Sequence, residues 1–248
     1  MPEELYRTED EFGPVIVLEK GDRRILSFDS NLQQSCVFMN KPYLLAHEYT
    51  QIMMLGMVLI DARNVTLLGL GGGGLAHCFN HYYPQVAMRV VELRQSVIDV
   101  ACQWFNLPQK PSLKVVCDDA FHYMQKAKPE SIDLLLSDLY EASGMSEIQA
   151  QYEFIQQSFN SLSDDGWLVL NLHHYPEKDS AIMKSVDTLF KNLYLCEVYT
   201  GNWLLFCGKT ASQYDKNELN ERARQLGKKL GIQLSYYYKQ LNCIKNDR

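Results

Sequence analysis

Two carboxylates, Asp138 and Glu141, follow an apolar run that predicts a strand. Ligands of open parallel sheets bind at the carboxyl ends of the strands, so this pair is predicted to face a cleft. A carboxylate there can take the proton from an ammonium group and hold the amine in line with an electrophilic carbon. Asp138 is therefore a candidate base for an amine nucleophile, and Glu141 a candidate site for a second ammonium. The alternative is that one of them only caps the following loop.

A glycine-rich loop predicts the other half of such a site. The apolar run VTLLGL leads into GGGGLAH, which places Gly69, Gly71 and Gly74 where a strand turns into a helix. This context favours a nucleoside bound close to the backbone. Glu92 ends a second apolar run roughly 20 positions further on, where a carboxylate can accept both ribose hydroxyls.

A second pair of acids, Asp118 and Asp119, follows the next predicted strand. One of these carboxylates can accept the exocyclic amine of adenine, while the other can cap the helix predicted over residues 120–127. This pair, with a strand pair near the C-terminus, favours an adenosyl sulfonium ligand, although NAD stays open on the glycine pattern alone. A carbon bound to a sulfonium is already activated, because the thioether leaves as a neutral molecule.

The elements that must position these residues alternate along the chain. Apolar strands are predicted over residues 65–70, 88–93, 113–116, 132–138 and 167–172, with helices from 75 and over 96–105, 120–127 and 148–162. Such alternation is typical of a parallel sheet covered on both faces. After a helix over 178–189, strands over 194–200 and 203–207 are predicted to join through a two-residue turn, Gly201-Asn202. We predict an α/β protein with the Rossmann-like fold of S-adenosylmethionine-dependent methyltransferases.

The ends of the chain differ from this central part. Residues 1–50 predict a small N-terminal β region with a hairpin of strands over 15–18 and 24–28, and an apolar helix is predicted over 44–60. The central Rossmann-like domain is predicted over residues 51–210, with a flexible lid at 142–146. Residues 211–248 predict a surface helix and a tyrosine-rich tail, interpreted as packing or an oligomer contact.

Composition limits the partners. The 248 residues carry a formal net charge of −6 with a pI near 5.5, which argues against a nucleic-acid partner and suits a small cationic substrate. Seven cysteines without a CxxC pair predict mostly buried thiols in a reducing compartment. No signal peptide or membrane span is predicted, so we expect a cytoplasmic protein. His77 and His81 lack the other ligands of a helical zinc motif, and no metal is predicted.

With these residues in place, the chain resembles the spermidine synthase (polyamine aminopropyltransferase) family over roughly residues 21–209. The match rests on the N-terminal β region, the glycine loop, Glu92, the Asp119-Ala120 step, the Asp138 and Glu141 pair and the run LSDDGWLVLNL. The resemblance implies a β-rich domain before a methyltransferase-like domain, and a homodimer. It also implies transfer of an aminopropyl group from decarboxylated S-adenosylmethionine to putrescine or a related amine.

The resemblance also implies roles for single residues. Glu92 would hold the ribose, Asp119 the adenine, and Asp138 would act as the base. Gln34, or its neighbour Gln33, would correspond to a donor-contacting glutamine of the family. His47 and the residue after it match the last two residues of a Tyr-His-Glu motif.

The chain departs from the family pattern at three positions, and its residues 41–50 resemble a divergent, spermidine synthase-like branch. Gly72 stands where the family loop GGGDGG has the aspartate that holds the amino end of the donor. Ala46 replaces the tyrosine of the Tyr-His-Glu motif, and Glu141 replaces a second aspartate. The donor is therefore open between decarboxylated and intact S-adenosylmethionine. The alternatives to an aminopropyltransferase are an S-adenosylmethionine-dependent methyltransferase and a non-catalytic nucleoside-binding homologue.

Overall fold

The N-terminal region is a four-stranded antiparallel meander. The computed structural model describes residues 2–29, 32–141 and 144–246, with side chains at 29, 32–34, 141 and 144 left out. The strands, in spatial order, are β1 Glu3–Asp10, β2 Gly13–Lys20, β3 Arg23–Asp29 and β4 Leu32–Phe38. The predicted hairpin is confirmed as β2 and β3. Strand β1 was not predicted, because its sequence EELYRTED has few apolar residues; it is the edge strand.

The prediction of a single helix over residues 44–60 is wrong in its extent. The segment instead forms two short helices, α1 Glu48–Met53 and α2 Gly56–Leu59. A Cβ atom on Gly56 would lie 2.7 Å from a methyl carbon of Leu134, so the break brings this glycine against the sheet. Residues 52–60 are all buried. Because no polar face interrupts this run, apolar spacing could not locate the break.

The central element is a sheet of eight strands. Five are parallel, and three at one edge are antiparallel, including a strand not predicted at the C-terminus. In spatial order the strands are β14 Asn242–Asn246, β12 Asn192–Glu197, β13 Trp203–Gly208, β11 Leu162–Leu172, β8 Ile132–Ser137, β5 Asn64–Leu68, β6 Ala87–Glu92 and β7 Leu113–Cys117. Two short strands, β9 Tyr140–Glu141 and β10 Gly144–Met145, form a separate ladder.

Helices cover both faces of this sheet, as predicted. They are α3 Gly74–Tyr82, α4 Gln95–Trp104, α5 Ala120–Lys126, α6 Tyr152–Ser161, α7 Ala181–Leu189, α8 Lys216–Leu230 and α9 Leu234–Lys239, with a 3-10 turn over Glu147–Ala150. The helix predicted over 148–162 is therefore two elements. In β8, Leu134 and Leu136 pack into one apolar core, and Leu135 packs into the other. Alternate side chains of a strand point to opposite faces, so both faces are buried.

The turn between β12 and β13 differs from the predicted one. The amide of Val198 donates to the carbonyl of Asn202 at 2.8 Å, which leaves a three-residue loop over residues 199–201. Gly201 has a φ of +102°, which favours glycine. Asn202 therefore belongs to the start of the strand pair and not to the turn itself.

Two further sequence predictions concern cysteines and the membrane. Cys36, Cys78, Cys196 and Cys207 are buried, whereas the other three cysteines are exposed, so the prediction of buried thiols holds for four. Across the described ranges, every helix is too short or too polar to span a bilayer.

Candidate functional site

A cleft of about 650 Å³ lies at the carboxyl ends of the parallel strands. Strand order reverses between the parallel neighbours β5 and β8, because the chain runs from β5 through β6 to β7 and then returns to β8 on the other side of β5. Ligands bind at such a point in open α/β sheets. Eight of the predicted site residues line it: His47, Gly69, Gly71, Gly74, Glu92, Asp118, Asp119 and Asp138. The side chains of Gln34 and Glu141 lie outside the described part of the structure, as does part of the predicted lid.

The glycine loop comes into direct contact with the end of β8. Gly69 has a φ of +92°, and a Cβ atom there would lie 2.2 Å from the carbonyl oxygen of Asp138. The amide of Asp138 donates to the carbonyl of Leu68 at 2.9 Å. Only glycine permits this approach, which holds the loop and Asp138 in one fixed relation.

Gly72 faces the protein interior. A Cβ atom there would lie 2.9 Å from the ring of Phe105, which is fully buried, and 3.2 Å from Oγ of Ser35. Gly72 does not belong to the described lining of the cleft. An acid at this position would therefore have to displace the Phe105 ring.

Glu92 ties the glycine loop to the end of β6. One carboxylate oxygen accepts from the amide of Leu70 at 2.9 Å, and the other accepts from the amide of Arg94 at 3.0 Å. Burial raises the pKa of Glu92, and these two backbone N–H groups oppose that rise. Each carboxylate oxygen keeps a second lone pair with which to accept a hydroxyl.

Asp118 and Asp119 both contact helix α5. Asp119 is the N-cap, and its side chain accepts from the amide of His122 at 2.8 Å. The carboxylate of Asp118 lies 2.8 Å from Nδ1 of His122, and this hydrogen bond holds the pKa of Asp118 below its usual value. The capping role that the sequence left open between the two thus belongs to Asp119, which also lines the cleft.

Both carboxylate oxygens of Asp138 receive hydrogen bonds. The side-chain amide of Asn171, at the end of β11, donates to Oδ1 at 2.7 Å. The hydroxyl of Tyr49, on α1, donates to Oδ2 at 3.1 Å. Burial raises the pKa of Asp138, and the two donors partly offset this rise. Burial and the nearby carboxylate raise the pKa of Tyr49 well above its usual value, so the phenol keeps its proton.

A second layer of polar side chains stands behind these two donors. The amide nitrogen of Asn202 lies 2.9 Å from Oδ1 of Asn171 and 2.9 Å from the hydroxyl oxygen of Tyr140. The Tyr140 ring contacts the His173 ring edge-on, with centroids 6.3 Å apart. The three side chains of this layer line the cleft, as Asn171 does.

The N-terminal sheet forms another wall of the cleft through Arg94. Its guanidinium pairs with Asp10 at 2.8 Å and 3.0 Å and donates to the carbonyl of Gly13. The same guanidinium lies 4.6 Å from the centroid of the Phe28 ring. Phe12, in the turn between β1 and β2, is 47% exposed and lines the cleft. This wall was not predicted from the sequence, because its residues come from distant parts of the chain.

The charge of the site suits a cationic ligand. Among the described lining residues, four are carboxylates (Glu92, Asp118, Asp119 and Asp138) and one is a guanidinium, Arg94, which Asp10 already pairs. His47 also lines the cleft, and burial lowers its pKa, with the positive charge of Arg23 contributing less. The pKa shift favours a neutral imidazole, so the acidic balance remains.

The two histidines tested for a zinc motif pack into the structure. Nε2 of His77 lies 2.8 Å from the carbonyl oxygen of Phe105, and His81 stacks on Tyr43 with ring centroids 3.8 Å apart. Across the described residues, there is no cluster of three or more potential metal ligands.

Together, the sheet order, the cleft and the glycine loop define a Rossmann-like protein of the methyltransferase fold. Residues 46–207 match the spermine/spermidine synthase domain, and the chain therefore belongs to the spermine/spermidine synthase family. This confirms the family resemblance and the fold class predicted from the sequence.

Sequence relatives fall into two groups. The chain is 24% identical over 227 residues to the polyamine aminopropyltransferase of Neisseria meningitidis serogroup A, covering 89% of this chain and 86% of that protein. It is 27% identical over 237 residues to the eEF1A lysine and N-terminal methyltransferase of Xenopus laevis, covering 86% of this chain but 34% of that protein. The homologues thus include both aminopropyltransferases and methyltransferases.

Solved structures show the same two groups. A probable spermidine synthase from Corynebacterium glutamicum superposes with a TM-score of 0.77 at 21% identity, over 90% of this chain and 86% of that one. Human methyltransferase-like protein 13, solved in complex with SAH, superposes with a TM-score of 0.66 at 24% identity, over 74% of this chain and 92% of that one. At these identities the likeness concerns the fold.

Proposed function

We propose that the chain is a spermidine synthase-like transferase, which moves an aminopropyl group from decarboxylated S-adenosylmethionine to a small amine such as putrescine. The observation that carries this proposal is the position of Asp138. It stands at the end of β8 in the same cleft as the glycine loop and Glu92, with both oxygens held by donors. Membership of the spermine/spermidine synthase family supports the choice of reaction.

The donor's nucleoside is proposed to bind along the ends of β5 and β6. Glu92 has lone pairs for the ribose hydroxyls, and Asp119 or Asp118 is available for the adenine amine. The SAH bound to the human methyltransferase-like protein supports a ligand related to S-adenosylmethionine. The family implies this ligand, and the described acids and the glycine loop fit it.

The chemistry proposed for Asp138 is that of a base. The substrate ammonium passes one proton to Asp138, and the neutral amine then attacks the carbon next to the sulfonium, so that a C–N bond forms while the C–S bond breaks. The electron pair of the C–S bond goes to sulfur, and methylthioadenosine leaves. The alkylated nitrogen carries the positive charge that the sulfonium has lost. Burial raises the pKa of this carboxyl, which makes it a better proton acceptor than an exposed aspartate.

Methyl transfer from intact S-adenosylmethionine is the second candidate. The observation that favours it is the contact between Gly72 and Phe105, which leaves no room for an acid beside the amino end of the donor. Without that negative charge, the carboxylate of intact S-adenosylmethionine meets no repulsion from position 72. The methyltransferase relatives agree with this candidate.

Calorimetry with three ligands tests these proposals. Decarboxylated S-adenosylmethionine, intact S-adenosylmethionine and methylthioadenosine are titrated into the protein in one buffer. Preference for the decarboxylated donor, followed by mass-spectrometric detection of aminopropylated putrescine, would support the proposed reaction. Preference for the intact donor would favour methyl transfer, and binding of none of the three would exclude both reactions. Nucleoside binding without turnover of any amine would leave the non-catalytic homologue.

A homodimer in the cytoplasm is proposed from the family resemblance and the composition. Sedimentation of the purified chain tests the first part. A monomer at micromolar concentration would contradict it.

A further inference from the structure

A line of amide side chains leads from the strand pair β12 and β13 to Asp138. Asn202 donates to Asn171 at 2.9 Å, and Asn171 donates to Asp138 at 2.7 Å. The same nitrogen of Asn202 donates to the hydroxyl oxygen of Tyr140 at 2.9 Å. The line joins three separate elements at the carboxyl edge of the sheet.

The donors and acceptors of the asparagine side chains give this row of hydrogen bonds a direction. An asparagine side chain has one accepting end and one donating end. Because the accepting end of Asn171 is occupied by the N–H of Asn202, its donating end must face Asp138. If Asn171 flipped, its oxygen would face the carboxylate oxygen, and two nitrogens would face each other at Asn202. Both contacts are repulsive, so the hydrogen bond from Asn202 adds to the preference that the acceptor-only carboxylate of Asp138 imposes on Asn171.

The burial of Asn171 makes its orientation important for the charge of Asp138. Asn171 is 1% exposed, so its side chain makes its hydrogen bonds to protein groups, and the loss of one costs more than at the surface. Among the described residues, no Lys or Arg pairs with Asp138, and the titratable groups that face it are Tyr49 on α1 and Tyr140 on β9. The charge of Asp138 is therefore stabilised by neutral donors, and Asn171 provides the shorter of the two hydrogen bonds.

We propose that Asn202 is a positioning residue, which fixes the amide of Asn171 so that its N–H always faces Asp138 and the carboxylate stays ionised and aimed into the cleft. The catalytic consequence rests on the proposed role of Asp138 as a base. The effect on the carboxyl itself does not, because it requires only the folded protein.

Carbon-13 titration of the Asp138 carboxyl tests the proposal without any substrate. Aspartate is labelled, and the Asp138 resonance is assigned with Asp138→Asn. The titration midpoint of the Asp138 carboxyl is expected to rise by about one to two pH units in Asn171→Ala, because a hydrogen bond to a charged group is lost. In Asn202→Ala, where the direct donor remains but is no longer held, a rise of about half a unit to one unit is expected.

Asn192→Ala is the matched control. Asn192 is fully buried on β12, and its side-chain amide donates to the backbone carbonyl of Thr210. It lies at the opposite end of the strand pair from Asn202, since it pairs with Gly208. Its replacement is expected to leave the Asp138 midpoint unchanged. An equal rise in this control, or no rise in Asn202→Ala beside a clear rise in Asn171→Ala, would overturn the proposal.

A second variant and a kinetic measurement separate the positioning role from a folding defect and from the proposed function. If Asn202→Ala does not fold, Asn202→Ser provides a second variant with a shorter donor, and it too must raise the midpoint. Where turnover is found, Asn202→Ala should lower kcat about threefold to tenfold and move the acid limb of its pH profile upward, with the donor KM unchanged. A raised midpoint in a protein that turns over no amine would contradict the proposed function and leave the positioning role standing.

Discussion

The hydroxyl of Tyr49 donates a hydrogen bond of 3.1 Å to Asp138, although 89 positions separate the two residues. Tyr49 stands on helix α1, three positions after Ala46, where the family motif has its tyrosine. Its ring also stacks on His47, with centroids 5.5 Å apart. A phenol thus reaches the candidate base even though the motif tyrosine is missing.

Replacement of Tyr49 by phenylalanine removes this donor and keeps the ring. We expect kcat to fall about tenfold, because a hydrogen bond to a charged group contributes about 1.5 kcal/mol. The acid limb of the kcat profile should move to higher pH, since this bond lowers the pKa of Asp138. Stopped assays across pH give both quantities.

Tyr214→Phe is the matched control for that variant, because Tyr214 donates to Asp61 at 2.6 Å outside the cleft. Its kcat and pH profile should equal those of the natural protein. A Tyr49→Phe profile identical to that of this control would refute the assigned role of Tyr49.

Replacement of Asp138 by asparagine should separate stability from activity. Turnover is expected to fall about 10²-fold to 10⁴-fold, as for loss of a general base. Since the pKa of Asp138 is raised in the folded protein, the folded state holds more protons than the unfolded state above the ordinary value of 3.8. The carboxyl therefore lowers the free energy of unfolding increasingly as pH rises from that value through the folded pKa.

Urea unfolding at pH 4.5 and pH 7.5 checks the sign of that effect. Asp138→Asn should gain stability relative to the natural protein on going to the higher pH. Asp133→Asn, at the other end of β8, serves as the activity control and should keep full turnover. A loss of stability for Asp138→Asn that grows with pH would show that the pKa shift has the opposite direction.

The loop position Gly72 should tolerate even a methyl group poorly. Gly72→Ala places a Cβ atom 2.9 Å from the buried Phe105 ring, and we expect a loss of about 1–3 kcal/mol. Gly74→Ala is the stability control, because its Cβ atom would meet its nearest neighbour at 4.0 Å. Urea unfolding measures both, and equal losses would contradict the predicted contact.

The stability of the N-terminal sheet should depend on the ion pair between Arg94 and Asp10. This guanidinium is 7% exposed and pairs with Asp10, so Arg94→Ala is expected to cost about 3 kcal/mol by leaving a partly buried carboxylate without its partner. Arg224→Ala removes an exposed pair with Glu221 and should cost less than about 1 kcal/mol. Urea unfolding measures the free energy of unfolding of both variants. Similar losses in the two would show that the Arg94 pair contributes no more than an exposed ion pair.

The candidate site was predicted in part because its backbone features are local. The glycine loop, Glu92 and Asp138 each follow an apolar run, and the ends of parallel strands meet at one edge of a sheet. Asn171 and Asn202 carried no such signal, because 33 positions separate Asn171 from Asp138 and 31 separate it from Asn202. The one hint was their common location beside strand ends.

The sequence by itself determined the order of strands and helices, the α/β class and the loop where only glycine fits, since these follow from periodicity and from backbone sterics over a few residues. The tertiary structure decided which donors hold Asp138, where the apolar segment 44–60 breaks, and that the C-terminal β14 joins the sheet. The reason is that these outcomes depend on packing between elements that are distant along the chain. Local patterns do not contain that information.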